Sequence, residues 1–466
     1  MGWFLIPLTI ILFLSAPRWL YVLVIFFIPF SATAIINVKP LVFGIPVSIF
    51  IGSFWILSVV LNTIKTFRFK LPSYRGKSLV LLVVFSIIVL LSLMMPIIID
   101  GKISTASDRL NGKELYPLFL MPRHIVQALY LIYGVIFTTM ISAKNSRLLE
   151  FKRSIRIYVL SSIFVSLWGW LQWSLYHLNM PYPAYIFNNS ITPSAANFAA
   201  EMGIIKTIKV SSVAVEASIL AQYLLTVIPI ILFALISKKV IISRFIDRLA
   251  FALTVSSLFI SGSTTGYIGI LFLFLLVIIM LFLLRVFRER YFYWIIASLF
   301  ACISVYAFIP AAKVLINETL FYKIESYSFA ERLRNIINAW GYFLEYPLLG
   351  IGWGSFTCPD LIVKLLAGTG AIGFASFIAL IVYVFIQLKK SLTVHIPYES
   401  SDSNAVRLMG VAMGCSFYTL LFACILSSLY FVFSYLWFIA GMVIAVISIV
   451  NKDNYSRLIK GNNTLS

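Results

Sequence analysis

The sequence predicts an all-α fold: a polytopic bundle of transmembrane helices with an outward-facing loop that carries an amphipathic helix. Composition is the first reason. Of 466 residues, 61% are hydrophobic and 11% are charged, where a soluble domain carries about 25% charged residues. The second reason is the recurrence of apolar runs long enough to cross a bilayer. The third is the way basic residues gather in alternate connections between those runs. Together they describe one integral membrane domain over residues 1–466.

Taken in order, runs of crossing length fall at residues 19–36, 45–64, 78–99, 123–142, 155–178 and 212–236. Six more occur at 246–261, 266–284, 292–312, 361–388, 407–426 and 430–450. Residues 3–15, ended by Pro17, form a shorter thirteenth candidate, so the expectation is 12–13 spans. No basic region precedes the first apolar run, which argues against a cleaved signal segment.

Charge sets the orientation. One set of alternate connections, with Arg18 and the tail, holds 24 of the 36 basic residues. It includes Lys65, Lys70, Lys144, Lys152, Arg156, Lys238, Lys239, Lys389 and Lys390. The positive-inside rule makes this set cytoplasmic. Loops 100–122, 179–211 and 313–358 are then outside, and with Glu216 and Asp360 at their edges they account for 10 of the 16 carboxylates. The net charge of +20 is explained by this asymmetry, so it does not imply nucleic acid. The lipid bilayer is the expected surrounding. Four scattered cysteines, Cys302, Cys358, Cys415 and Cys424, show neither disulfide nor metal spacing.

Loop 313–358 ends in the most structured polar stretch of the chain. At about 100° per residue, Phe329, Leu333, Ile336, Ile337, Trp340, Phe343 and Leu344 share one arc of a helix. Glu331, Arg334, Asn335, Asn338, Gly341 and Glu345 take the other side, and Arg332 stands at the border. Pro347 stops the helix, and Gly350, Gly352 and Gly354 force a turn. Such a helix lies flat on a membrane surface. A plain surface anchor is the simplest use of it. Trp353 in the turn belongs with the amides and aromatics that a sugar-binding surface uses, though an interfacial belt uses them too.

Other polar groups stand near membrane depth. Glu216 lies one turn inside the run that starts at Ser212, with Lys209 before it. A carboxylate there faces a cavity or a partner, or else favours the start of a helix. Ser263 and Thr264 lie in a hydroxyl-rich hairpin, Ser261–Gly266, which could hold phosphate on its N–H groups. Asp360 begins the next span and could cap it. His124, His177 and His395 are isolated, and no metal site or cofactor is expected.

The stretch Arg332–Phe356, closing on PLLGIGWGSF, resembles the signature of the O-antigen polymerase and ligase superfamily. Asp360–Phe374 is similar to the segment on the C-terminal side of that signature. Lys209–Ser218 resembles the family's Arg…Glu-Pro-Ser segment, with Lys209 for Arg and Ala217 for Pro. Ser263–Gly266 resembles its Ser-Arg-x-Gly turn without the Arg. The motifs cover residues 200–374, and the rest matches by architecture.

The resemblance implies a metal-independent glycosyltransferase at the outer face of the bacterial inner membrane. Its donor would be an undecaprenyl-diphosphate-linked oligosaccharide, and its membrane partner a chain-length regulator. Such chemistry needs cations on the leaving diphosphate and a base for the acceptor hydroxyl. Arg332 is the first candidate cation, with Arg334 and Lys209 next. Glu216 is the preferred base, with Asp360 as the alternative, and Ser263, Thr264 and Trp353 are candidate substrate contacts. The branch expected is the polymerase that joins repeat units. The ligase that transfers glycan to the lipid A core is the alternative, and a polysaccharide or lipid-linked sugar exporter is the second. Ligases of the superfamily carry a histidine shortly after the glycine-rich turn, where this chain has Thr357-Cys358-Pro359-Asp360.

Overall fold

The computed structural model describes residues 2–38, 43–66, 76–106, 115–191, 209–283, 317, 327–393, 401–427 and 431–463. The expected span at 292–312 lies outside them. Among the described residues, eight helices are long and apolar enough to cross a membrane. They are α3 (Val47–Thr66), α4 (Gly76–Ser92) continuing into the short α5 (Met95–Ile99), α6 (Pro122–Lys144) and α7 (Leu148–His177). The rest are α8 (Ala217–Ile236), α12 (Leu361–Thr393), α13 (Ser401–Leu426) and α14 (Ser434–Asn463). Other described helices complete the bundle: α1 (Gly2–Ser15), α2 (Pro17–Phe27), α9 (Arg244–Ile260) and α10 (Thr264–Leu283). The surface helix α11 spans Tyr327–Glu345.

Local chemistry sets the boundaries. Pro17 cannot continue α1 and opens α2 instead. Pro122 opens α6 after an extended Met121. Ser243 caps α9 by accepting from the Ile246 N–H at 3.1 Å. Two expected spans are corrected. The run at 19–36 is not one helix. α2 stops at Phe27, and β1 (Ala34–Val38) pairs antiparallel with β2 (Phe43–Pro46). Pro29 lacks the N–H that a continuing helix would need. The run at 212–236 becomes helical only at Ala217, which leaves Glu216 at the N-cap rather than inside the span. A second hairpin, β3 (Ser104–Ala106) with β4 (Leu115–Pro117), lies in loop 100–122.

Burial separates centre from rim. In their most apolar windows α14 is 89% buried and α8 78%, while α12 is only 28% buried. α8 packs on α13, and α14 on both α6 and α13. Hydroxyls and amides join the central helices. Tyr158 and Thr226 hydroxyls lie 2.6 Å apart, Tyr435 donates to Gln222 Oε1 at 2.6 Å, and Ser416 donates to the Thr226 carbonyl at 2.7 Å. With lipid outside as apolar as leucine, such bonds and close packing hold helices together. The rim is greasy: Val80, Ile87 and Leu91 on α4 and Leu271, Leu275 and Phe282 on α10 are exposed. Water would penalise so broad an apolar surface, and a bilayer accepts it.

The two ends differ. At one end Glu150 accepts from Arg153 at 3.0 Å and pairs with Lys144 at 3.3 Å, and Arg156 Nε donates to the Ile241 carbonyl at 2.6 Å. This basic end gathers the connections α6–α7 and α8–α9. The other end carries both hairpins and the glycine-rich turn after α11.

Candidate functional site

The turn after α11 is the best-formed feature at the end opposite the basic one. Gly350, Gly352 and Gly354 all take positive φ, at 66°, 99° and 84°. Only glycine adopts these angles at no steric cost. Space also demands it. A Cβ on Gly350 would overlap the Ala367 carbonyl, and one on Gly352 would come within 2.5 Å of Pro96 Cδ. The turn fits where α12 bends at Gly370, whose φ of 68° and ψ of −174° interrupt the helix. The Ile351 N–H donates to the Ala367 carbonyl at 2.8 Å and the Ala371 N–H to the Pro347 carbonyl at 2.8 Å. Kink and turn therefore supply each other's missing backbone partners.

Three elements clamp the turn. From α4, Ser92 Oγ accepts the Trp353 N–H at 3.2 Å. From α6, Arg123 Nη2 donates to the Ser355 carbonyl at 2.6 Å and reaches Thr105 Oγ1, on β3, at 3.5 Å. His124 Nε2 lies 3.2 Å from Ser355 Oγ. The Ser355 hydroxyl gives its proton to the Ile351 carbonyl at 2.8 Å, so Nε2 must be the donor to it. His124 Nδ1 then accepts the Met121 N–H at 2.9 Å. Arg123 and His124 come directly after Pro122 in sequence, but nothing in their spacing points to residue 355.

Asp360 Oδ1 accepts the Val363 N–H at 2.8 Å and so caps α12. Trp353 is buried, its ring edge-on to Phe431 at 4.7 Å. It anchors the turn in the core rather than offering a ring face at the surface. Burial pushes the Cys358 thiol up to about 11, so it stays protonated at neutral pH and is no nucleophile.

α11 lies over this turn. Ala339 is fully buried, and Ile336, Tyr342 and Phe343 pack with Ile99, Leu118 and Phe356. Arg332 is half-buried along that inward edge, while Arg334 is exposed on the far side. Leu333, Ile337, Trp340 and Leu344 form an exposed stripe, between 44% and 64% accessible. A stripe so apolar at the rim of a bundle belongs in a membrane interface.

The second set of candidates lies ahead of α8. Residues 210–215 are buried although they form no helix or strand. Their backbone is satisfied from outside. The Ser212 N–H donates to Gln172 Oε1 at 2.7 Å, and Asn188 Nδ2 donates to the Ser212 carbonyl at 3.1 Å. The Ala32 N–H donates to the Val213 carbonyl at 3.1 Å, and the Val215 N–H to Ser31 Oγ at 3.2 Å. Irregular backbone survives at membrane depth only when protein satisfies it in this way. It delivers half-buried Lys209 at one end and half-buried Glu216 at the other. Glu216 Oε2 accepts from Ser218 at 3.1 Å. Ser263 is buried and Thr264 half-buried in the turn between α9 and α10. That turn lies close against α8, since a Cβ on Gly266 would stand 3.3 Å from Ala221 Cβ.

The two sets share one end of the bundle. Six residues below Glu216, Gln222 donates to the Ser427 carbonyl at 2.9 Å. Four residues past Ser427, Phe431 meets Trp353. Arg332 and Glu216 form no ion pair with each other. Lys364, half-buried one turn into α12, adds a cation to this end that its place in an apolar run had masked. Among the described residues, no three His, Cys, Asp or Glu side chains group as metal ligands would.

No curated protein matches the chain. Residues 249–364 match the family model described as O-antigen ligase. The matched stretch holds Ser263, Thr264, Arg332, Arg334, Trp353 and Asp360, while Lys209 and Glu216 precede it. The match covers the surface helix and the glycine turn, the stretch whose sequence resembles the O-antigen polymerase and ligase superfamily.

Proposed function

We propose that the protein polymerises surface polysaccharide at the periplasmic face of a bacterial inner membrane. An acceptor hydroxyl attacks the anomeric carbon of an undecaprenyl-diphosphate-linked oligosaccharide. The carbon–oxygen bond to the diphosphate breaks, and undecaprenyl diphosphate leaves with its negative charge. Arg332 and Lys209 hold that charge, with Arg334 as a second contact. Glu216 takes the hydroxyl proton. Asp360 is the weaker candidate, because one of its oxygens is committed to capping α12. The hydroxyls of Ser263 and Thr264 orient the substrate near the start of α8. Trp353 acts by holding the turn.

The observation that carries the polymerase reading concerns histidine. Among the described residues between Tyr327 and Asp360 there is none. His124 reaches the turn from α6, but both its ring nitrogens are engaged, one as acceptor and one as donor. Neither is available as a base toward an acceptor. The ligase reading is favoured instead by the description of the matching family model, O-antigen ligase.

Deleting the gene separates the two. A polymerase deletion leaves single repeat units on the lipid core, because a ligase elsewhere still transfers them. A ligase deletion leaves bare core and full-length polymer on the polyprenyl carrier. Electrophoresis of the surface glycan reads the difference. The reading also takes the reaction to be metal-independent. Purified protein is therefore expected to keep its activity in excess EDTA, and a loss restored by magnesium or manganese would contradict it.

A further inference from the structure

The basic end holds a cleft that the proposed transfer does not use. It lies between the start of α7, the end of α8 with its following turn, and the start of α13, and it is open at its mouth. Its floor is apolar, with Ile230, Phe233, Leu408, Met409 and Met413. Its mouth carries Lys152, Arg156 and Lys239.

Among the described residues, the charges of Lys152 and Arg156 are left uncompensated for a traceable reason. The described carboxylates of the α6–α7 and α8–α9 connections are committed elsewhere. Glu150 binds Lys144 and Arg153. Asp247, 1% exposed, accepts the Ile241 and Ile242 N–H groups at 2.8 and 3.1 Å. Arg156 places only Nε on protein, against the Ile241 carbonyl at 2.6 Å. That bond orients its guanidinium and leaves the terminal nitrogens without a partner among the described residues. Lys152, one helical turn earlier on the same face of α7, is exposed and has no acidic partner among them either. A planar guanidinium fixed at one corner, with an ammonium beside it, is suited to a phosphate oxygen pair.

We infer that this cleft binds an anionic phospholipid of the leaflet at the basic end, with phosphate on Lys152 and Arg156 and an acyl chain on the floor. Free phosphate would leave Phe233, Leu408 and Met409 wet, and a zwitterionic lipid would leave net positive charge at the mouth. Two methionines give the floor the adaptability that a disordered acyl chain requires. The site is independent of the proposed glycan chemistry, and its test reads lipid binding rather than transfer.

The test uses the full-length protein purified in neutral detergent. Thermal unfolding is monitored while phosphatidylglycerol, phosphatidylcholine or inorganic phosphate is added. Phosphatidylglycerol is expected to raise the midpoint, phosphatidylcholine and phosphate are not, and added salt should weaken the effect. Lys152→Gln with Arg156→Gln should weaken the phosphatidylglycerol response about tenfold or more in concentration. Lys389→Gln with Lys390→Gln removes the same charge outside the cleft and should leave it unchanged. Met409→Trp fills the floor while keeping every charge, so it should also abolish the response and stands in if the first pair fails to fold. Equal responses in wild type and both cleft variants would overturn the site. So would an equal loss in the Lys389/Lys390 pair, which would mean a diffuse surface charge. A stabilisation reproduced by inorganic phosphate alone would overturn the lipid and leave a simple anion site.

Discussion

Arg332 and Arg334 stand two positions apart, and the helix gives them opposite surroundings. Two steps of about 100° put them on different sides of α11. Arg332 shares the inward edge with Ala339, and Arg334 faces away from the bundle. Arg332→Ala is expected to abolish chain elongation while membrane-inserted protein persists, at a cost of about 3 kcal/mol or more in the transfer step. Arg332→Lys should rescue only in part, since lysine binds as a point charge, and Arg334→Ala should be milder. Glycan ladders beside immunoblots of membrane fractions read this, and normal ladders from Arg332→Ala would remove the residue from the site. The difference between the two arginines was legible in the apolar periodicity. The clamp of Arg123 and His124 on Ser355 was not, because 231 residues separate His124 from its partner.

At the scale of elements, the glycine turn and the kink in α12 are one device. A Cβ on Gly370 would overlap the Leu348 carbonyl, at a φ of 68° that alanine resists. Gly370→Ala is therefore expected to reduce the yield of folded protein sharply. Gly341→Ala is the control: a Cβ there meets nothing within 4 Å, and its place inside α11 should favour alanine by about 0.5–1 kcal/mol. Thermal unfolding in detergent compares them, and equal behaviour would mean that turn and kink are not coupled. The turn could be read from Pro347 and its glycines. The kink could not, because Gly370 looks like any small residue in a long apolar run. Residues 210–215 misled for a related reason. Val213, Ala214 and Val215 look like the first turn of a span, yet Gln172, Asn188 and Ser31 supply the backbone partners that a helix would otherwise provide.

At the scale of the whole molecule, the expectation is an orientation. Reporters fused after Lys70, Lys152 and Lys390 should read cytoplasmic, and those after Lys113, Glu201 and Lys323 should read outside. Two or more reversed reporters would refute it. The motive is the count of basic residues, and the ion pairs and turns around Glu150 and Ile241 group several of them at one end. Sequence alone determined the membrane class, most of the spans and the amphipathic surface helix. Each of these depends on hydrophobicity and period, which are local properties of the chain. Where helices begin at buried loops, which histidine reaches the turn, and which cations remain unpaired were decided only by tertiary structure. Those outcomes depend on which distant side chain satisfies a given backbone group or charge, and that assignment exists only once the helices have packed.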